Sequence, residues 1–203
     1  MNEILLATRS AHKAAEIRHI LAGFPIRLRT LQDIGLEESA EEETIENAET
    51  FIGNARAKAA FFFERTKLPV IADDSGLEVF ALDMQPGVRT RRFAIDAGYR
   101  GPGGLDLDLT NNNLLLERLR AVPEPARGAR YVCAAAFHGT RRFAAVGTCE
   151  GFIAREPVGS GGFGYDPVFK LPDLDVTFAQ LPQAEKNRRS HRAHAFRALA
   201  ALL

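Results

Sequence analysis

The opening stretch reads Ile4-Leu5-Leu6-Ala7-Thr8-Arg9-Ser10-Ala11-His12-Lys13, then runs on to Pro25-Ile26-Arg27-Leu28-Arg29-Thr30-Leu31. Ile4–Ala7 is the pattern of a short buried strand. Helical spacing follows over Ala11–Leu21, through Ala14, Ile17, Ile20 and Leu21. Pro25–Leu31 alternates Ile26 and Leu28 with Arg27 and Arg29, as a half-buried strand does. Strand, polar turn, helix and strand in succession predict an α/β protein.

Outward from there, Glu37–Glu49 carries seven glutamates. A helix is predicted over Ala48–Arg65, with Phe51, Ala55, Ala59 and Phe62 on one face. Pro69–Ala72 reads as a strand ending in the turn Asp73-Asp74-Ser75-Gly76, and Leu77–Ala81 as the next strand. Met84–Gly104 reads as irregular, Leu109–Val122 as a helix and Pro123–Gly128 as a connector. Tyr131–His138 and Arg141–Cys149 form a hairpin about Gly139-Thr140, a pair that fits a two-residue type II′ turn. In that register Cys133 faces Val146 and Cys149 faces Arg130, which puts the thiols on opposite faces and predicts that they stay reduced. A glycine-rich loop, Gly159–Pro167, precedes a last helix over His191–Leu203, with Ser190 as its cap.

Composition narrows the classes. The 203 residues carry 26 basic and 26 acidic side chains, so the net charge is zero. That argues against a nucleic-acid-coating protein. The longest apolar runs, Val132–Phe137 and Ala198–Leu203, fall far short of the roughly 20 residues that span a bilayer. Two cysteines make no disulfide framework. The acidic opening Met1-Asn2-Glu3 is unlike a secretory leader. The expectation is one cytoplasmic domain over 1–203.

Five clusters could carry chemistry. Thr8–Lys13 lies before a helix, where free amides and the helix dipole suit phosphate. A capped helix with a surface lysine is the plainer reading. Asp73 and Asp74 follow an apolar run, and buried acids need a partner such as a divalent cation. An Asx-turn is the alternative. The glutamate block suits a helix start, and composition singles out none of its members. Gly159–Pro167 could bring backbone close to a ligand, with Phe163 and Tyr165 stacking on a flat base or tucked into the core. Glu185–Arg192 crowds donors that suit a purine carbonyl or a phosphate, or forms a solvated basic turn. Together these are the parts of an enzyme acting on a nucleoside triphosphate.

The sequence also resembles the inosine triphosphate pyrophosphatase family, along essentially its whole length. Five stretches carry the resemblance: Leu6-Ala7-Thr8 through Lys13; Thr50-Phe51-Ile52 with Asn54-Ala55 and Lys58-Ala59; Ala72-Asp73-Asp74-Ser75-Gly76-Leu77 with Pro86-Gly87-Val88; Gly161–Pro167; and Glu185-Lys186-Asn187 with Ser190-His191-Arg192. The resemblance implies a two-lobed α/β fold with a long mixed sheet, flanking helices and a cleft between the lobes, usually in a homodimer. It implies cleavage of ITP, dITP or XTP between the α- and β-phosphates. Asp74 would be catalytic and, with Glu46, would hold Mg²⁺. Thr8, Arg9, Ser10, Ala11, His12, Lys13 and Lys58 would hold the phosphates, with Ser75 beside the metal. Phe163, Gly164, Tyr165 and Asp166 would form the base pocket, and Lys186, His191 and Arg192 would donate to the 6-oxo edge.

The chain departs from the family where Thr-Gly-Asn becomes Thr8-Arg9-Ser10, where an acid becomes Gly53, and where Ser-Ala-Arg becomes Thr90-Arg91-Arg92. Gly53 reads as a helix-interior glycine. Arg9, Ser10 and Gly53 motivate one alternative, a nucleotide-binding module with weakened catalysis. A Maf-like pyrophosphatase for other modified nucleotides is another.

Overall fold

The structure, a computed structural model, describes residues 2–102, 104 and 106–203. Met1 and Gly103, each part of a stretch read above, lie outside the described residues. The opening forms as expected: β1 (Asn2–Leu6), α1 (Ala11–Ile20) and β2 (Ile26–Thr30). β1 and β2 are parallel, with Ile4 opposite Leu28. Ser10 caps α1, its hydroxyl accepting from the Lys13 amide at 3.3 Å. The glutamate block holds a short 3-10 turn, Ala40–Thr44.

α2 (Phe51–Thr66) starts three residues later than predicted, because Thr50 is its cap and accepts from the Gly53 amide at 3.1 Å. Gly53 therefore sits in the first turn, not the helix interior. A Cβ there would lie 2.7 Å from Ala48 Cβ and 2.9 Å from Thr50 Oγ1. The space under the cap demands glycine.

The next expectation is corrected. Val70–Val79 is one ten-residue strand, β3, rather than two strands about a turn. Asp73-Asp74-Ser75-Gly76 stays extended within it, which removes the Asx-turn reading. The two acids broke the apolar pattern, but tertiary partners keep them inside the sheet. The stretch read as irregular contains a 3-10 segment, Gly87–Arg92, and a single helical turn, α3 (Phe93–Asp96). α4 (Leu107–Arg118) starts earlier than predicted because Asp106 caps it at 3.0 Å from the Leu109 amide. β4 (Gly128–His138) and β5 (Arg142–Ile153) are linked by three residues, with the Gly139 amide donating to Arg141 O at 3.0 Å. That replaces the expected two-residue turn. β6 (Phe169–Lys170), α5 (Gln183–Arg189) and α6 (His191–Ala200) complete the chain, with Ser190 capping α6 as predicted.

Among the described residues the strands form one mixed sheet in the order β2-β1-β3-β4-β5-β6. β1 runs parallel to both β2 and β3, and β5 antiparallel to β6. The chain divides into two compact units: Met1–Ser75 with Val132–Thr148 and Asn187–Leu203, and Gly76–Tyr131 with Cys149–Lys186. Each has its own core. The first gathers Ile4, Leu6, Ile17, Ile71, Cys133 and Phe196; the second gathers Leu77, Leu115, Leu119, Cys149, Phe169 and Phe178. The cysteines thus belong to different cores, and both are reduced.

In the first unit α6 packs onto β5 with almost no gap. A Cβ at Gly147 would lie 2.3 Å from both Ala195 N and His191 O. Backbone cannot yield as a flexible side chain can. Gly147→Ala is expected to cost about 1–3 kcal/mol by overpacking, read as a lower urea midpoint with an unchanged slope.

Candidate active site

In the first unit, parallel pairing sets the geometry. Leu6 lies opposite Ile71, so the residues after β1 emerge level with Asp73. Loops at the carboxyl ends of parallel strands are where α/β sheets hold ligands. Side chains alternate along β3, so Asp73 and Ser75 share a face and Asp74 takes the other. Asp73 is fully buried. Its Oδ2 accepts from Lys13 Nζ at 2.9 Å and from the Ser75 hydroxyl at 2.7 Å, and lies 3.7 Å from Arg192 Nε. Burial alone would raise its pKa, but Lys13, Arg192 and Lys58 outweigh it and hold the carboxyl well below the usual range. Its Oδ1 is buried with no hydrogen-bond partner among the described residues. Arg192 is itself buried, paired with Glu16 of α1, and donates to Ser75 Oγ at 3.3 Å.

On the opposite face, Asp74 Oδ2 accepts from Asn54 Nδ2 at 2.9 Å, and Oδ1 from the Ser75 amide at 3.0 Å. Burial, with repulsion from Glu46, pushes the Asp74 carboxyl up to about 6. Asn54 and Lys58 lie four apart on α2 and share a face. Lys58 Nζ donates to the backbone oxygen of Asp73 at 2.9 Å and pairs with Glu46. Two carboxylates that repel each other, one in the middle of β3 and one from the acidic segment, fit a divalent cation. Mg²⁺ ordinarily takes one or two carboxylates and completes its shell with phosphate and water.

In the second unit the glycine-rich loop is organised by Asp166. Its Oδ2 accepts from the Phe163 amide at 2.9 Å and from Lys186 Nζ at 2.6 Å; the Tyr131 hydroxyl donates to Oδ1 at 3.4 Å. The Lys186 ammonium lies 4.7 Å from the centre of the Phe163 ring. α4 grips Gly164 at both ends of its backbone: Asp108 accepts from the amide at 2.7 Å, and Asn112 Nδ2 donates to the carbonyl at 3.0 Å. Tyr165 is in the core, its hydroxyl donating to Thr90 O at 2.8 Å, while Phe163 is half-buried. Gly162 has φ +75°, and a Cβ there would lie 2.0 Å from Asp166 Oδ2. Gly162→Ala is expected to destabilise the protein by about 1–3 kcal/mol through backbone strain and displacement of Asp166, measured by chemical denaturation.

Residues 4–202 match the profile of the Ham1 family. The chain belongs to that family. A dITP/XTP pyrophosphatase of Halalkalibacterium halodurans is 41% identical over 201 residues, covering 98% of this chain and 97% of its own. One from Nocardia farcinica is 44% identical over 209 residues, covering 100% and 97%. The solved HAM1 protein of Coxiella burnetii superposes with a TM-score of 0.82 at 34% identity, covering 100% of this chain and 98% of that one.

Within this Ham1 protein the predicted residues divide between the two units. Lys13, Lys58, Asp74, Ser75 and Arg192 meet around β3, and Glu46 joins them through Lys58. Phe163, Gly164, Asp166 and Lys186 meet in the second unit. His191 is buried at the start of α6; Ala11 and His12 are exposed at the start of α1. Thr8 Oγ1 accepts from the Ser10 amide at 3.2 Å. Arg9 is engaged with Glu42 of the acidic segment. Sequence reading gave no role to Asn54, Glu16, Asp108 or Asn112. Asn54 had a signal, being a polar residue at helical spacing between Phe51 and Ala55. Glu16 had none, since its partner Arg192 is 176 residues away.

Proposed function

We propose that this chain hydrolyses deaminated purine nucleoside triphosphates (dITP, XTP and ITP) to the monophosphate and pyrophosphate, and so clears them from the nucleotide pool. The observation that carries the chemistry is the buried Asp74 carboxylate beside Glu46 and Lys58. Its full-length relatives, named dITP/XTP pyrophosphatases, support the substrate. They do not favour the Maf-like or weakened-binder alternatives.

Asp74 and Glu46 would hold Mg²⁺. When bound, the cation would offset phosphate charge and make hydroxide available near neutral pH. Asp74 orients the attacking water and takes its proton. Water adds across the α–β phosphoanhydride bond, and pyrophosphate leaves with the bridging oxygen. Lys13 and Lys58, with the amides of Ala11 and His12 at the start of α1, stabilise charge on the phosphates. Ser75 positions both acids, its hydroxyl donating to Asp73 and its amide to Asp74. For the base, Phe163 supplies a face, Tyr165 and Gly164 set the loop, and Asp166 fixes Lys186. Arg192 is held by Glu16 and Ser75 beside Asp73, whereas Lys186 donates to a 6-oxo group. Adenine presents an amino group there, which leaves buried donors unpaired.

The test is pyrophosphate release from dITP, XTP, ITP, GTP and ATP, with Mg²⁺ and with chelator. Release from the first three should be at least about 10²-fold faster than from ATP and should stop in chelator. Equal rates on ATP would defeat the substrate assignment. A homodimer in the cytoplasm completes the proposal, its stoichiometry to be read by light scattering. No helix among the described residues is long and apolar enough to cross a membrane.

A further inference from the structure

Arg9 occupies the position where the family resemblance implies glycine, in the turn between β1 and α1. Its guanidinium is committed elsewhere. Nε and Nη2 hold the two Glu42 carboxylate oxygens at 2.9 and 2.6 Å. Nη1 donates to Leu36 O at 2.6 Å, and Nη2 also to Glu37 O at 2.9 Å. Four of the fork's five N–H donors are thereby used. Glu42 Oε1 accepts in turn from the Ser39 amide at 3.2 Å. One side chain thus gathers three points of the acidic segment.

That segment leads directly to Glu46. It is dense in like charge and contains no strand or α-helix, only the short 3-10 turn Ala40–Thr44. Arg65 of α2 pairs with Glu41 in the same turn. Beyond Glu46, Asn47 Nδ2 donates to Thr44 O at 2.6 Å. The Ala48 amide then donates to Asn54 Oδ1 at 2.8 Å, and Asn54 Nδ2 to Asp74. Glu46 is therefore suspended between two anchors: the Arg9 clasp before it, and Asn54, which holds Asp74, after it.

We propose that Arg9 is a positioning residue that straps the acidic segment and so presents Glu46 beside Asp74, rather than a ligand of substrate phosphate. The inference rests on the reading of Glu46 and Asp74 as metal carboxylates. A bidentate pair with two further carbonyl contacts is specific to arginine geometry. Residues that orient ligating groups tune metal affinity without touching the metal.

The test uses the full chain and two readouts. Hydrogen exchange of the metal-free protein reports the strap, and Mn²⁺ binding followed by electron paramagnetic resonance reports its consequence. In Arg9→Gln and Glu42→Gln, amides 36–46 should exchange faster. Mn²⁺ affinity should fall about 10-fold or more in each variant, with the double variant no worse than either single one. The Michaelis constant for dITP at saturating metal should stay near wild type. Wild-type exchange over 36–46, or wild-type Mn²⁺ affinity combined with a raised Michaelis constant in Arg9→Gln, would overturn the strap and make Arg9 a phosphate ligand. A Mn²⁺ isotherm indifferent to Asp74→Asn and Glu46→Gln overturns the metal reading itself, and the inference with it.

Discussion

In the Asp74→Asn protein, pyrophosphate release from dITP is expected to fall about 10³-fold while the metal-free protein becomes harder to unfold. The two effects share one cause. Asp74 is buried against Asn54 and faces repulsion from Glu46, so its charged form is disfavoured and its pKa lies near 6. A carboxyl with a raised folded pKa binds its proton more tightly in the native state. Stability therefore falls as pH rises from about 4 to about 6, and stays lower above that range. A shift of about two units corresponds to about 2–3 kcal/mol at most. Asparagine keeps an oxygen for Asn54 Nδ2 but carries no charge. Urea midpoints in chelator at pH 5 and pH 7.5 check this: wild type should be the more stable at pH 5, and the variant should lack the difference. Mg²⁺ should stabilise wild type alone, because it binds only the native carboxylates. A variant that keeps turnover, or loses stability at pH 7.5, would remove Asp74 from the role assigned to it.

Its neighbour should behave in the opposite way. Asp73→Asn is expected to destabilise the protein by about 3–5 kcal/mol at neutral pH, the usual consequence of breaking a buried charge pair. Asp73 is fully buried against Lys13 and the Ser75 hydroxyl, with Arg192 close by. Removing its charge leaves the Lys13 ammonium without its carboxylate and weakens the field around Arg192, which retains Glu16. Burial raises the Asp73 pKa, but the surrounding cations lower it further, so the folded value lies well below the unfolded one. The stabilisation is therefore complete above the ordinary aspartate range and is lost as pH falls beneath it. Wild type should show a steep acid transition below about pH 4, and Asp73→Asn a shallower one, by circular dichroism. An Asn variant within about 1 kcal/mol of wild type would show that the cations are satisfied without Asp73.

The pair shows why a sequence reading stops where it does. The motif located both aspartates, but as turn residues rather than as neighbours on opposite faces of one strand. Which one is held charged and which is driven toward neutrality depends on Lys13, Glu46, Arg192 and Glu16. Those residues are scattered along the chain and meet only in the folded state.

Periodicity and capping determined the opening β-α-β unit, the Ser10 and Ser190 caps and the apolar face of α2. These rest on interactions between near neighbours, or on a repeat that any short window displays. The family resemblance supplied the order of the motifs. Tertiary structure alone decided that β3 runs unbroken through Asp73-Asp74, since buried partners offset a polarity that reads locally as a turn. It alone decided that Gly53 lies under a cap and Gly147 under a helix, because the space a Cβ would need is set by atoms elsewhere in the chain. It alone directed the Arg9 fork to Glu42, 33 residues away, because hydrogen-bond partners are chosen by distance in space, which sequence separation does not encode.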